Sequence, residues 1–360
     1  MAHNLFAQRF YNRRSTPAWH GLGINAGEDA YDSARTAAER VNAIYSVRKA
    51  PIMVDLNGEA HRSGYNWIIR EPLADDPTER IFGRPVPDDY EVITPDQAIR
   101  LYDDNVRTLD GRTASVETLG VLGRGERLFV TTKLPNTLNI RGDEVETYLL
   151  YDNPMSWGWA LGVYTIGVRV VCQNTLHVGI SSAIERRKIP HTEGSAKVLA
   201  AWLQGVYGRA IANTEELRAG YEKLANTPIT KPQVQWIVDA LYPMPKKPTF
   251  SDVSTRDMEE RYDQYEYMVE YVGRVRSTVV GLYEGRGIGM DTPAVMGTAF
   301  GAYNAVSEFE TYRAGDYHRA VEKLIAGERA RRIRNAFALA QVVDRYETVS
   351  PQAIMKKVIA

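Results

Sequence analysis

Four basic residues lie in strand-like sequence near the middle of the chain, where their spacing would suit phosphate binding. Arg124, Arg127 and Lys133 fall in LGVLGRGERLFVTTKL, residues 119–134, and Arg169 falls in ALGVYTIGVRVVC, residues 160–172. In the first stretch Leu128, Val130, Thr132 and Leu134 alternate with Arg127, Phe129, Thr131 and Lys133. A period of two sends the first set to one side of a strand and the second to the other, which predicts an outward row of cations with an aromatic ring among them. Such a row binds a phosphate backbone by releasing its counterions, and an exposed ring stacks on unpaired bases. Trp19 and His20, in the glycine- and proline-flanked PAWHGLG of residues 17–23, offer a second aromatic and imidazole pair. The plainer alternative for Trp19 is a loop anchor in the core. A second basic run, GERARRIRNAF, holds Arg329, Arg331, Arg332 and Arg334, either a further phosphate patch or a solvated helix face.

Other chemistries find less footing. The chain has no G-x-x-x-x-G-K-[ST] loop, no H-E-x-x-H, no C-x-x-C and no G-x-S-x-G, so phosphate-loop, zinc-protease, dithiol and serine-hydrolase signatures are absent. Gly285, Gly287 and Gly289 form a glycine-rich run, but it follows helical rather than strand sequence, which is the wrong context for a dinucleotide site. Cys172, Asn174 and His177 could form a nucleophile, orienting amide and base. Cys172 nevertheless falls on the apolar side of its strand, where a lone thiol packs as a small hydrophobe. His61, His177, His191 and His318 show no i, i+4 pairing; neither a metal nor a cofactor is expected. Asp152, His20 and His191, at the ends of predicted strands and loops, are the residues an enzymatic alternative would use. Tyr262 and Tyr265 fall in an apolar helical stripe and are expected in the core, whereas Tyr267 and Tyr271 are expected to be exposed.

The elements that must hold these residues follow from periodicity and punctuation. Residues up to Asn25 read as an irregular arm, and residues 28–43 as a helix with small residues at three-to-four spacing. Residues 45–56, closed by Asn57 and Gly58, read as a strand turning into a hairpin that returns over 65–70. Thr94, Pro95 and Gln97 predict a capping box and a helix to about residue 104. Strands are expected on both sides of residues 123–126, over 144–151 and over 160–172, and their short connections predict an antiparallel sheet. Beyond Asn174 helices are expected over about 174–187, 191–208, 214–225 and 230–241, then a long one from Met258 to Leu282 and others over 293–314 and 316–346. Pro243, Pro245 and Pro248 form a stiff connector. The expected architecture is α+β: a central antiparallel sheet with flanking helices over residues 1–243, then a helical region over 244–360.

Composition bounds the function classes. The chain has 360 residues, 44 Lys plus Arg against 45 Asp plus Glu, and 44% hydrophobic residues. That is ordinary globular composition, and a formal net charge of −1 excludes a uniformly basic coat while leaving room for a local groove. One cysteine makes neither a disulfide nor a cysteine-rich zinc site, and the N-terminus lacks a signal-like apolar core, so a soluble protein of a reducing cytoplasm is expected, with no membrane partner.

Several segments together resemble one family, the phage/plasmid-like proteins grouped as domain of unknown function 932. They are residues 17–23 (PAWHGLG), 123–129 (GRGERLF) with Lys133, Leu134 and Pro135, Tyr148 to Leu150, 169–176 (RVVCQNTL), His191 with Thr192, and 297–306 (GTAFGAYNAV). Where the family usually has Asn-His-Asp-Gly after the Tyr-Leu-Leu strand, this chain reads DNPMSWG over residues 152–158. The resemblance implies origin in a phage, prophage or plasmid, a setting in a bacterial host's cytoplasm, and a task in replication or recombination. The strand-rich centre followed by helices is also similar in architecture to the Rad52-like single-strand annealing proteins. The expected function is therefore a non-catalytic, homo-oligomeric protein that binds or anneals single-stranded DNA. On this reading Arg124, Arg127, Lys133 and Arg169 hold phosphates, while Phe129, Trp19 and His20 stack. The alternatives are an enzyme acting on a nucleotide or nucleic acid and a virion or host-interaction protein.

Overall fold

The computed structural model describes residues 5–14, 23–27, 29–169, 186–248, 255–313 and 328–359. Among these, seven strands form the main sheet: β1 (Leu5–Asn12), β2 (Ile24–Asn25), β7 (Thr118–Leu122), β8 (Arg127–Ile140), β9 (Asp143–Pro154), β10 (Leu161–Arg169) and β11 (Arg186–Ile189). Their order is β11-β10-β9-β8-β7-β1-β2, antiparallel except for the short parallel pair β1–β2. The middle of the sheet is an antiparallel meander whose register sets Phe129 opposite Asp152, Lys133 opposite Tyr148 and Tyr151 opposite Val163. A second sheet is built on the long hairpin β3 (Val47–Leu56) and β4 (Glu59–Arg70), against which β5 (Arg80–Ile81) and β6 (Val86–Pro87) pair. Asn57 and Gly58 close that hairpin with φ of 58° and 87°, the double left-handed turn that Asn-Gly favours because it matches the twist of the strands.

The sheet positions its residues by burying one face on helices. Leu128, Val130, Leu134, Leu149, Tyr151 and Val163 share a face and one apolar cluster with α1 (Ala34–Arg40), α2 (Pro95–Asn105) and α3 (Ser195–Leu203). α1 starts at Ser33, whose hydroxyl accepts from the Thr36 amide at 3.2 Å. α2 starts at the capping box predicted from Thr94 and Gln97, each side chain serving the other's backbone amide. α4 (Val206–Ala225) crosses from this layer into a second cluster, where Leu217, Tyr221 and Leu224 join Leu138, Ile140 and Val145 from the far ends of β8 and β9. The same cluster contains α5 (Lys231–Leu241), the last turns of α6 (Thr255–Gly281), α7 (Ala299–Glu308) and α8 (Glu328–Ala340). α9 (Pro351–Ile359) packs on its edge through Ile354 and Met355. None of the described helices is long and apolar enough to cross a membrane.

The expected α+β architecture, an antiparallel sheet with flanking helices and a helical C-terminal part, is what the chain adopts. Several elements differ from their expected form. The supposedly irregular arm contains β1, which pairs with β7 from Phe10 to Asn12; its tertiary partner, not its own pattern, makes it a strand. The helices expected over 191–208 and 214–225 are instead α3 and α4, divided at Gln204 and Gly205, with Gly205 at φ 72°. The helix expected over 174–187 lies outside the described residues except at its end, where Arg186 and Arg187 belong to β11. α9 was not expected at all. Tyr262 is more than a third exposed, contrary to the expected core placement, because the first turns of α6 extend past the packed cluster and burial begins only at Val272.

Candidate functional site

The cations expected on an open sheet face are engaged inside the protein. Arg127 is 4% exposed. Its Nε and Nη2 donate to the two carboxylate oxygens of Asp152 at 2.8 and 3.0 Å, and its guanidinium lies 4.9 Å from the ring centre of Trp159. Phe129 is 0% exposed and lies 5.9 Å from Phe10, ring centre to ring centre. Gly120 makes room for both rings, since a Cβ there would come within 2.6 Å of Phe129 and 2.8 Å of Phe10. The alternation read from the sequence is correct, but the second face of the sheet is covered as well, so neither Arg127 nor Phe129 meets solvent.

Lys133 is half-buried in a charged network. Its Nζ donates to Glu146 at 2.5 Å, and Arg14 brackets the same carboxylate at 3.2 and 3.0 Å. Arg14 also donates to the Tyr148 hydroxyl at 2.8 Å and pairs with Glu117. Burial alone would raise the Glu146 carboxyl; the hydrogen bonds from Arg14, Lys133 and Tyr148 overcome it and bring the pKa down to about 2,. Arg124 is the exception: its side chain is 57% exposed, in the turn where Gly123 and Gly125 have φ of 73° and 106°. It folds back on Glu126 at 3.4 Å and on the Ile81 carbonyl at 3.4 Å. Arg169 ends β10 opposite Val145. Its side chain lies outside the described residues, as do Trp19, His20, Cys172, Asn174 and His177.

Of the residues of the enzymatic alternative, His20 lies outside the described residues, and Asp152 and His191 are each engaged within the protein. Asp152 is spent on Arg127. His191 is buried and stacked on Tyr90 at 4.7 Å with 11° between the planes, and its Nδ1 lies 3.0 Å from the Glu91 carbonyl. Burial lowers its pKa below the usual histidine range. No group of three His, Cys, Asp or Glu able to hold a metal occurs among the described residues. The glycine run after α6 has its own internal anion, since the Ile288 amide donates to Glu308 at 2.8 Å.

The second basic run fares differently. α5, α6, α8 and α9 enclose a cleft of about 750 Å³, and Arg329, Arg331 and Arg332 of α8 line it together with Lys356 of α9. Arg334 does not line the cleft. The cleft floor is apolar, including Val272, Val275 and Phe309, and the exposed Tyr271, the buried Tyr242 and Glu328 complete the lining. Arg331 is the outermost, 51% exposed, with Glu328 at 3.9 Å. Arg332 pairs with Glu328 at 2.5 Å and with Glu310 at 3.4 Å, and its guanidinium lies 5.4 Å from the Tyr242 ring centre. Arg329 is buried and donates to the Glu310 carbonyl at 3.2 Å. α6 is rich in acids, yet Glu259, Asp263, Glu266 and Glu270 recur at helical spacing on the face opposite Met268, Tyr271, Val272 and Val275, so they are turned away from the cleft. Sequence reasoning found the arginines and Tyr271; it missed Tyr242, Lys356 and the enclosure, which depend on how four helices pack.

Among known proteins, no curated protein and no solved structure matches the chain. A family model described as "Domain of unknown function (DUF932)" matches residues 85–336. That span takes in the sheet meander from β7 through β11 and the cleft-lining arginines, and leaves out the β3–β4 hairpin and α9. It covers about seven-tenths of the sequence, and on that match the chain belongs to the family of domain of unknown function 932.

Proposed function

We propose that this protein binds single-stranded DNA through the cleft between α5, α6, α8 and α9, as a non-catalytic binding or annealing protein of phage or plasmid origin acting in replication or recombination. One observation carries the reading: on one cleft with an apolar floor, the exposed Arg331, Lys356 and Tyr271 stand beside the partly exposed Arg332. Cations supply a sequence-independent attraction for phosphates, and rings supply a sequence-tolerant surface for unpaired bases. The volume lies in the range that holds a ligand of nucleotide size. The sheet cations, by contrast, lend little support: Arg127 is buried and Lys133 shares Glu146 with Arg14, whereas Arg331 and Lys356 of the cleft stay exposed.

We also propose that copies of the chain assemble, in a bacterial host's cytoplasm. In support, the tip of the β3–β4 hairpin leaves Met53, Val54 and Leu56 exposed, and a two-stranded ribbon is marginal on its own in water. Among the described residues the enzymatic alternative has no comparable convergence of groups.

Titrating a fluorescent oligothymidylate with the purified full chain, at low and at high salt, tests the binding. The expected result is binding that weakens steeply as salt rises; no binding even at low salt refutes it. Native mass spectrometry with and without the oligonucleotide tests assembly, and a monomer in both refutes that part.

A further inference from the structure

Glu310 is a buried carboxylate wired to the cleft. It lies on the π-helical turn Phe309–Arg313 after α7 and is 0% exposed. Its Oε1 accepts from the Tyr242 hydroxyl at 2.6 Å and from Arg332 Nη1 at 3.4 Å. Its Oε2 is buried with no hydrogen-bond partner among the described residues. Among the described residues, the charged and titratable groups around it come from α8, the end of α5 and its own turn. α8 contributes Arg332, Arg329 and, through Arg332, Glu328. The end of α5 contributes Tyr242, whose backbone carbonyl in turn accepts from Arg276 of α6. On its own turn, Arg313 is paired with Glu308 at 3.3 Å.

Arg332 thus has two claimants. An ionised carboxylate in such a place has one oxygen without a partner among the described residues and one long contact to a guanidinium, an arrangement burial penalises,. An anion that enters the cleft and engages Arg332 weakens that contact and leaves Glu310 with even less to offset its charge. We infer that Glu310 is a proton-linked competitor for Arg332: a phosphate in the cleft draws the guanidinium away, and Glu310 takes up one proton from solvent. Burial already lifts this carboxyl above its ordinary range, against the opposing pull of Arg332, Tyr242 and Arg329. The sign follows. At low pH Glu310 is neutral and does not compete; as pH rises through its titration it becomes a rival, so affinity for a polyanion falls. This inference rests on the reading of the cleft as a phosphate-binding site.

The test is calorimetric titration of the full chain with oligothymidylate at several values between about pH 5 and 8, each in two buffers of different ionisation enthalpy. Wild type is expected to take up part of a proton on binding and to lose about fivefold in affinity across the window. Glu310→Gln keeps an acceptor for Tyr242 but removes the charge; it should show no uptake, a flat pH profile, and about fivefold tighter binding than wild type at the alkaline end. Wild-type binding with no proton uptake, or a Glu310→Gln variant with an unchanged pH profile, overturns the inference and leaves the cleft reading standing. No binding at low salt overturns the cleft reading and this inference with it.

Discussion

The Arg127 guanidinium meets the Asp152 carboxylate in a two-point contact, 2.8 and 3.0 Å, with both side chains at 5% exposure or less. β8 and β9 run antiparallel here, with Arg127 opposite Pro154 and Phe129 opposite Asp152, so the pair is diagonal across neighbouring strands on one face. Two-point geometry satisfies four polar groups that burial would otherwise strand, two N–H donors and both carboxylate oxygens,, and Trp159 covers the guanidinium plane.

Removing one partner leaves the other charged and buried. Arg127→Ala should therefore cost about 3 to 5 kcal/mol, and Asp152→Ala a similar amount. The double replacement Arg127→Met with Asp152→Leu should recover most of that loss, because an apolar pair has no charge to desolvate. Urea denaturation at unchanged slope measures all three. Oligonucleotide affinity of the folded fraction should not change; a tenfold drop on Arg127→Met with Asp152→Leu would return Arg127 to the binding surface.

Glu146 makes stability depend on acid. Its carboxyl titrates at about 2 in the folded chain against 4.5 ordinarily, a depressed value, so its stabilisation is complete above about pH 4.5 and is lost as pH falls from there toward 2. The side chain is 16% exposed, and the shift corresponds to about 3 kcal/mol. Glu146→Gln should lower stability at pH 7 by that order and flatten the acid limb of the unfolding midpoint between about pH 4.5 and 2. A variant with the wild-type acid limb would assign the acid sensitivity elsewhere.

α2 depends on a reciprocal cap. Thr94 Oγ1 accepts from the Gln97 amide at 3.4 Å, and Gln97 Oε1 accepts from the Thr94 amide at 3.0 Å. Thr94→Ala should cost about 1 kcal/mol, and Thr94→Ser should restore most of it. The thermal midpoint of the three proteins decides the matter, with equal midpoints counting against the cap.

That cap also marks where sequence is most informative. Thr94-Pro95-Asp96-Gln97 yields the box its spacing predicts, because capping involves atoms within one turn. The alternation in β8 was equally readable. Whether the cationic side of that alternation faces water was not, because the answer lies with Asp152 and Phe10, residues that no local pattern connects to Arg127 and Phe129. β1 escaped notice for the same reason: its strand state comes from pairing with β7. The cleft was half legible. A run of arginines announces charge, but its enclosure by Tyr242, Tyr271 and Lys356 is decided by helix packing.

The cleft reading makes a graded prediction about salt. Arg331 and Lys356 line the cleft and remain accessible, Arg331 with only a 3.9 Å contact to Glu328, so each has charge available for a phosphate. For a single strand, each phosphate neutralised contributes about 0.7 to the slope of log affinity against log salt. Arg331→Ala and Lys356→Ala should each reduce the slope by about that amount and weaken binding several-fold at low salt, with the curves converging on wild type as salt rises. Arg124→Ala is the matched control. Its side chain is as exposed as that of Arg331, but its guanidinium lies against Glu126 and the Ile81 carbonyl, so the slope should stay at the wild-type value. The reverse pattern, a smaller slope for Arg124→Ala and none for the cleft variants, would move the contact surface to the β7–β8 turn.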